Sequence, residues 1–203
     1  MHRTYHHESM RIIAGTFRSR QLQTPAGMAT RPTSDRLRET LFNVIAARVP
    51  GARFVDLYAG SGAVGIEAVS RAAAHVTFAE KAPKALAAIR ANLKALDVKS
   101  GFAIESGGTA VLLKKMVASG FPADIVFLDP PYELAAEYTR TLTALGSPEF
   151  ADSLNEDALV IAEHSRKQEL AERYGRLGRT RTLLQGDAAL SFYAVSEELP
   201  DLV

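Results

Sequence analysis

No cysteine occurs among the 203 residues. A disulfide scaffold, a thiolate metal site and a cysteine nucleophile are therefore all excluded, and a reducing compartment is compatible with the chain. Nor is there an apolar run near the roughly eighteen residues that a membrane helix needs. The start, residues 1–10, is polar and histidine-rich rather than signal-like, so a soluble, cytoplasmic protein is expected. His2, His6 and His7 lie without a ligand-spaced partner, and no metal is expected. Net charge is low as well, only +1. At this length, with 47% hydrophobic residues, the chain can bury one sizeable core with a small appendage, and a monomer is expected.

The small net charge conceals an uneven distribution. Between Arg11 and Arg53 stand eight arginines and no lysine, against only Asp35 and Glu39, a local charge of +6, so the remainder is net acidic. Arginine presents phosphate with a planar two-donor fork and stacks on bases, which suits nucleic-acid binding; a merely solvated charged face is the alternative. Residues 1–10 lack periodicity and read as a disordered extension. Residues 11–50 read as an N-terminal basic unit. Within it, Ile12-Ile13-Ala14 and Gln21-Leu22-Gln23 flank a polar stretch, suggesting a hairpin tipped by Arg18 and Arg20. Thr33-Ser34-Asp35 then offers caps for a helix with Leu37, Leu41, Val44 and Ile45 toward the core and Arg36, Thr40 and Asn43 on another face. Candidate RNA-binding residues are Arg11, Arg18, Arg20, Arg31, Arg36 and Arg38.

From residue 51 to 203 strand-like and helix-like segments alternate. Strands are expected at 54–57, 75–80, 102–105, 124–129 and 159–164, with helices such as 83–96 and 108–118 between them, which implies an α/β, doubly wound and mostly parallel sheet. Segments 180–184 and 188–195, joined through Gln185-Gly186-Asp187, read as a closing antiparallel hairpin and bring the expected total to seven strands.

The first strand runs into Asp56-Leu57-Tyr58-Ala59-Gly60-Ser61-Gly62-Ala63-Val64-Gly65, a glycine turn opening a helix, and Glu80 follows at the end of the second strand. Gly60, Gly62 and Gly65 with that acid satisfy a dinucleotide pattern, so an NAD enzyme is one reading. Asp56 favours S-adenosylmethionine instead: a carboxylate there can face an ammonium group, whereas adjacent phosphates would be repelled. Glu80 would then accept from the ribose hydroxyls. The candidate cofactor set is Asp56, Tyr58, Ala59, Gly60, Ser61, Gly62, Glu80 and Lys81, with Gly107 and Gly108 giving backbone contacts after the third strand.

The fourth strand delivers Asp129-Pro130-Pro131-Tyr132 to the carboxyl edge of the sheet, where such folds hold ligands. Two prolines stiffen the backbone, so the Pro130 carbonyl can be presented rigidly. An exocyclic base amine is a poor nucleophile because its lone pair is delocalised into the ring. Asp129 and the Pro130 carbonyl could accept its two N–H bonds and turn that lone pair toward a methyl donor. Tyr132 could stack on the extruded base. Asp129, Pro130, Pro131 and Tyr132 are the candidate catalytic residues. Glu163 and His164, at the end of the fifth strand, are taken as polar edging rather than catalytic groups.

Here the sequence resembles the bacterial methyltransferase D family acting on small-subunit (16S) ribosomal RNA, a group of class I S-adenosylmethionine-dependent enzymes that make N2-methylguanine. The likeness spans nearly the whole chain from Met10. It is carried by Arg11-Ile12-Ile13-Ala14-Gly15, by the block from Thr30-Arg31-Pro32-Thr33-Ser34-Asp35 through Arg36-Leu37-Arg38-Glu39-Thr40-Leu41-Phe42-Asn43, by residues 56–67 with Ser70-Arg71, and by Asp129 to Tyr132. It implies ribosomal RNA or an assembling 30S particle as partner, and an N-terminal unit that grips RNA and covers the cofactor, with Arg36 or Arg38 also available to a methionyl carboxylate. The chain departs at Glu105-Ser106-Gly107-Gly108-Thr109, where many methyltransferases carry an acid or amide near the adenine. Adenine N6 in DNA is an alternative target, since such enzymes share Asp-Pro-Pro-Tyr, although little chain remains for a DNA-recognition domain. A silent RNA-binding module is the non-enzymatic alternative, against which the intact Asp56, Glu80 and Asp129 stand.

Overall fold

A computed structural model describes residues 10–25, 35–120, 122–131 and 134–196. Residues 1–9 with their histidines, the loop holding Arg31 and the capping residues Thr33 and Ser34, and Tyr132 lie outside these.

Helix α1 (Asp35–Val44) leads through a short 3-10 turn into β1 (Arg53–Leu57), and α2 (Ala63–Ser70), β2 (His75–Ala79), α3 (Pro83–Ala95) and β3 (Phe102–Glu105) follow. Next come α4 (Thr109–Ser119), β4 (Ala123–Leu128), α5 (Ala135–Leu145), β5 (Leu154–Ser165), β6 (Arg173–Tyr174), β7 (Leu177–Gln185) and β8 (Ala188–Val195). The strands form one sheet in the order β3-β2-β1-β4-β5-β8-β7-β6. Pairing is parallel from β3 to β5, and antiparallel from β5 through β8 and β7 to β6. The two-residue β6 makes eight strands where seven were expected.

Strand periodicity divides the core in two. Phe54, Ile125, Phe127 and Ile161 face α1, α2 and α3, while Val55, Val126, Leu128 and Val160 face α4 and α5. The N-terminal segment joins the first of these cores through Met10, Ile12 and Leu22, so it packs as part of the domain. Met10, expected in the terminal extension, is buried. The expected hairpin is present but short: the amide of Ile12 donates to the Arg20 carbonyl (3.0 Å), that of Ser19 to the Ile12 carbonyl (2.9 Å) and that of Leu22 to the Met10 carbonyl (2.8 Å). Arg11 and Gln21 make a single antiparallel bridge, and the arm is held chiefly by α2. Glu67 accepts the amides of Ile13 (2.8 Å) and Ala14 (3.0 Å), and Ser70 Oγ accepts that of Phe17 (3.0 Å). Gly15 lies so close that a Cβ would stand 1.9 Å from the Ser70 carbonyl oxygen, at a φ of +84°. Only glycine fits there.

Two local expectations fail on α1. Val44 is solvent-exposed, while Phe42 is fully buried in its place. Arg38, assigned to RNA, is wholly buried beneath α1. It donates to Asp35 Oδ1 (2.8 Å) and the Arg11 carbonyl, and its Nε lies 3.9 Å from Glu67. A guanidinium with no exposed surface, held between partly exposed Asp35 and buried Glu67, cannot reach a phosphate, so its partners are internal.

Candidate active site

Between β1 and β4 the strand order reverses, and a crevice opens beyond their carboxyl ends, the place where open α/β sheets receive ligands. On its β1 side the glycine turn is shaped by contacts the sequence specifies. Tyr58 takes a left-handed conformation (φ 64°), and its hydroxyl reaches Glu137 Oε2 (2.9 Å) and Thr141 Oγ1 (2.8 Å) on α5. Gly65 lets α2 lie on β2: a Cβ there would be 2.3 Å from the Phe78 ring.

Asp56 is almost wholly buried, and its Oδ2 accepts the Gly65 amide at 2.8 Å. This carboxyl pins the first turn of α2 to β1. Burial, with the charge of Glu80, pushes it up to about 7 against the opposing Gly65 bond. Asp56 is expected to face a cofactor ammonium directly or through water, and its internal bond to Gly65 engages Oδ2 only. Glu80 meets its expectation in place but is engaged as well. Its Oε2 accepts from Gly60 (2.9 Å), and its Oε1 from Lys81 (2.7 Å) and Ala82 (2.8 Å). Ala59 donates its amide to Ala79, and Ser61 meets Met10 Sδ at 3.5 Å. Across the crevice, Gly108 packs beside the Lys81 side chain, and Gly107 donates to Glu105 (2.7 Å). The expected cofactor residues thus gather at one edge. A carboxylate at the end of β2, a glycine turn and a second glycine pair opposite suit the ribose and methionyl parts of S-adenosylmethionine.

On the β4 side, Asp129 continues the Ile125 and Phe127 face by the period of two, and the register Leu128↔Ala162 sets it beside Glu163. Burial, then the charges of Glu163 and Asp56, raises the Asp129 carboxyl well above the usual range. Glu163 is buried and also faces Arg38 electrostatically. It belongs to the site that sequence reasoning assigned without it, and the strand alternation that places Asp129 on this face would have placed Glu163 there too. His164 points the other way. Its ring packs edge-on to Tyr138, its Nε2 lies 2.9 Å from Ser191 Oγ, and burial lowers its basicity. The Tyr138 hydroxyl donates to the Glu163 carbonyl (3.0 Å) and lies 3.4 Å from the Pro130 carbonyl, joining the ends of β4 and β5 behind the crevice. Pro131 is exposed at the surface.

The expected RNA residues scatter. Arg18 and Arg20 are exposed near the C-terminal end of α2, an eight-residue helix that at 1.5 Å per residue separates them by about 12 Å from the glycine turn. Arg20 Nη2 donates to the Ala95 carbonyl (3.0 Å), Arg11 pairs with Asp35 (3.3 Å), and Arg36 is exposed on α1.

A parallel sheet closed by an antiparallel hairpin, with a glycine turn and Asp-Pro-Pro at its carboxyl edge, is the fold of class I S-adenosylmethionine-dependent methyltransferases. Residues 10–194 match the family model described as Conserved hypothetical protein 95. The chain belongs to that family. It is 36% identical over 186 residues to the putative rRNA methyltransferase YlbH of Bacillus subtilis, covering 91% of this chain and 98% of that one. To the ribosomal RNA small subunit methyltransferase D of Escherichia coli it is 41% identical over 123 residues, 61% of this chain and 60% of the relative. A solved structure, the putative methyltransferase yhhF from Escherichia coli, superposes with a TM-score of 0.79 at 30% identity, covering 94% of this chain and 99% of that one. These relatives agree with the methyltransferase D resemblance carried by the motifs.

Proposed function

We propose that the protein methylates the exocyclic N2 amine of a guanine in small-subunit ribosomal RNA, acting as a monomer in the cytoplasm on the RNA or an assembling 30S particle. The observation that carries this reading is the placement of Asp129 and Pro130 at the end of β4, facing the glycine turn of β1 across the crevice. The names of the relatives support ribosomal RNA as the substrate. S-adenosylmethionine, when bound, supplies a methyl carbon on a sulfonium whose sulfur takes back the bonding pair.

Asp129 and the Pro130 carbonyl accept the two amine protons in hydrogen bonds and fix the direction of the nitrogen lone pair. As nitrogen gains its new bond to carbon, one N–H proton passes to Asp129 and its electron pair stays on nitrogen. Glu163, by its charge and in concert with burial, keeps the Asp129 carboxylate basic enough to take that proton. Tyr138 holds the Pro130 carbonyl from behind, and Tyr132, which lies outside the described residues, would stack on the base. Glu80 would accept the ribose hydroxyls of the bound cofactor on lone pairs its loop amides leave open, and Asp56 holds the first turn of α2 to β1. The test is transfer of labelled methyl to unmodified small-subunit RNA, followed by nucleoside identification. N2-methylguanosine made by the wild type and lost in Asp129→Ala supports the reading, and labelled N6-methyladenosine or no transfer overturns it.

A further inference from the structure

Helix α3 carries Lys84, Arg90 and Lys94 and no acidic residue at all. Arg90 and Lys94 stand four residues apart on its exposed side, a like-charge spacing that destabilises a helix. The expense to the helix points to a use elsewhere. Beside them, between α3 and the edge strand β3, lies a cleft of about 470 Å³. Leu93, Val98, Phe102 and Ile104 form its floor, and Arg90, Lys94 and Lys99 its rim. The one acid in the lining, Asp97, meets Lys99 at 3.4 Å with both side chains about four-fifths exposed, a pair that water and salt weaken. The N-terminal arm borders this surface. Arg20 bonds the carbonyl of Ala95, the residue after Lys94, and Gln23 exchanges two hydrogen bonds with Asn92 (2.7 and 3.0 Å). Arg20 is thereby set at the C-terminal end of α3, next to Lys94, with the exposed Arg18 two residues before it on the arm, so cations of two separate segments are neighbours.

We infer that these cations form one track, from the arm across α3 to the β3 edge, that binds single-stranded RNA, with phosphates on Arg18, Arg20, Arg90, Lys94 and Lys99 and a base seated on Phe102. The inference rests on the proposed ribosomal RNA substrate and extends its footprint to the side of the domain away from Asp129. A cationic rim over an apolar and aromatic floor is the chemistry that holds single strands: phosphate neutralisation for affinity, base stacking on a ring for grip.

The test measures binding of an unmodified small-subunit RNA transcript by wild type, by Arg90→Gln/Lys94→Gln/Lys99→Gln and by Phe102→Leu at several salt concentrations. Cofactor affinity and melting temperature serve as checks on the fold. Expected for the triple variant are weaker binding and a log-log salt slope flatter by about 2–3 units, somewhat under one per lost phosphate contact. Phe102→Leu should weaken binding with the slope unchanged. If the wild type methylates the RNA and the triple variant keeps its affinity and slope, the track is overturned while the substrate stands, and these cations serve only to keep the β3 edge from pairing with other chains. A wild type that neither binds nor methylates the transcript overturns both.

Discussion

At Asp129 a carboxyl group is held where its charged form is disfavoured, by burial first and then by Glu163 and Asp56. The charged groups that act on it are Glu163 on β5 and Asp56 on β1, and Glu163 in turn faces Arg38 on α1. Replacing Glu163 with Gln removes one like charge while keeping the shape, so the acid limb of the pH–rate profile should move to lower pH and the plateau rate should fall. An unmoved limb with a wild-type plateau would take Glu163 out of the mechanism. Asp56 is tested through stability. Its folded value, about 7, lies above the ordinary 3.8, so between these the folded state holds a proton that the unfolded state has lost. Stability from this group is complete below about pH 4 and declines as pH rises to about 7, by up to about 1.4 kcal/mol per unit. Asp56→Asn keeps an oxygen for the Gly65 amide and should flatten that decline in denaturant titrations. A decline equal to wild type would refute the assignment.

Among the elements, those with strong periodicity or a chemical marker could be read directly from the sequence. The strand β3 coincides with its expected range, α3 and α4 fall within a residue of theirs, and the glycine turn and Asp129 stand at the edge where the motifs placed them. Helix α5 is absent from the expected elements although Tyr138, Thr141, Leu142 and Leu145 are buried at helical spacing, because no capping side chain marks its start after the prolines. The fate of Arg38 was not legible, since an arginine amid seven others looks like surface until Glu67 from α2 and Glu163 from β5 join its neighbour Asp35 around it. Asp56 and Glu80 were legible in place but not in their internal bonding. Arg38 is a large, fully buried side chain bonded to Asp35 and the Arg11 carbonyl, while Arg71 is the nearer cation on Glu67 (2.8 Å). Arg38→Ala should therefore destabilise the protein by about 3 kcal/mol through the cavity and the lost bonds, a fall of roughly 6–12 °C in melting temperature for a domain of this size. Lost RNA affinity at an unchanged melting temperature would return Arg38 to the surface role.

For the whole molecule, α3 and α2 both tie the glycine turn to the N-terminal arm: Asn92 of α3 donates to the Ser61 carbonyl (3.2 Å) and exchanges bonds with Gln23, and α2 reaches each region with one of its ends. Its first turn carries the glycine loop and is pinned by Asp56; its last turn holds the arm. Within itself the arm closes through the amides of Ile12, Ser19 and Leu22, which donate to the carbonyls of Arg20, Ile12 and Met10. The amides of Ile13, Ala14, Thr16 and Phe17 all end on Glu67 or Ser70, so an opening of α2 releases all four together. In native-state hydrogen exchange these four amides should therefore show the same opening free energy as those of α2 and behave as one cooperative unit. If they exchanged far faster than α2, the arm would be fraying independently. Joint exchange would mean that the arm has no separate melting event, and that whatever steadies it slows the breathing of the glycine turn at the other end of the helix.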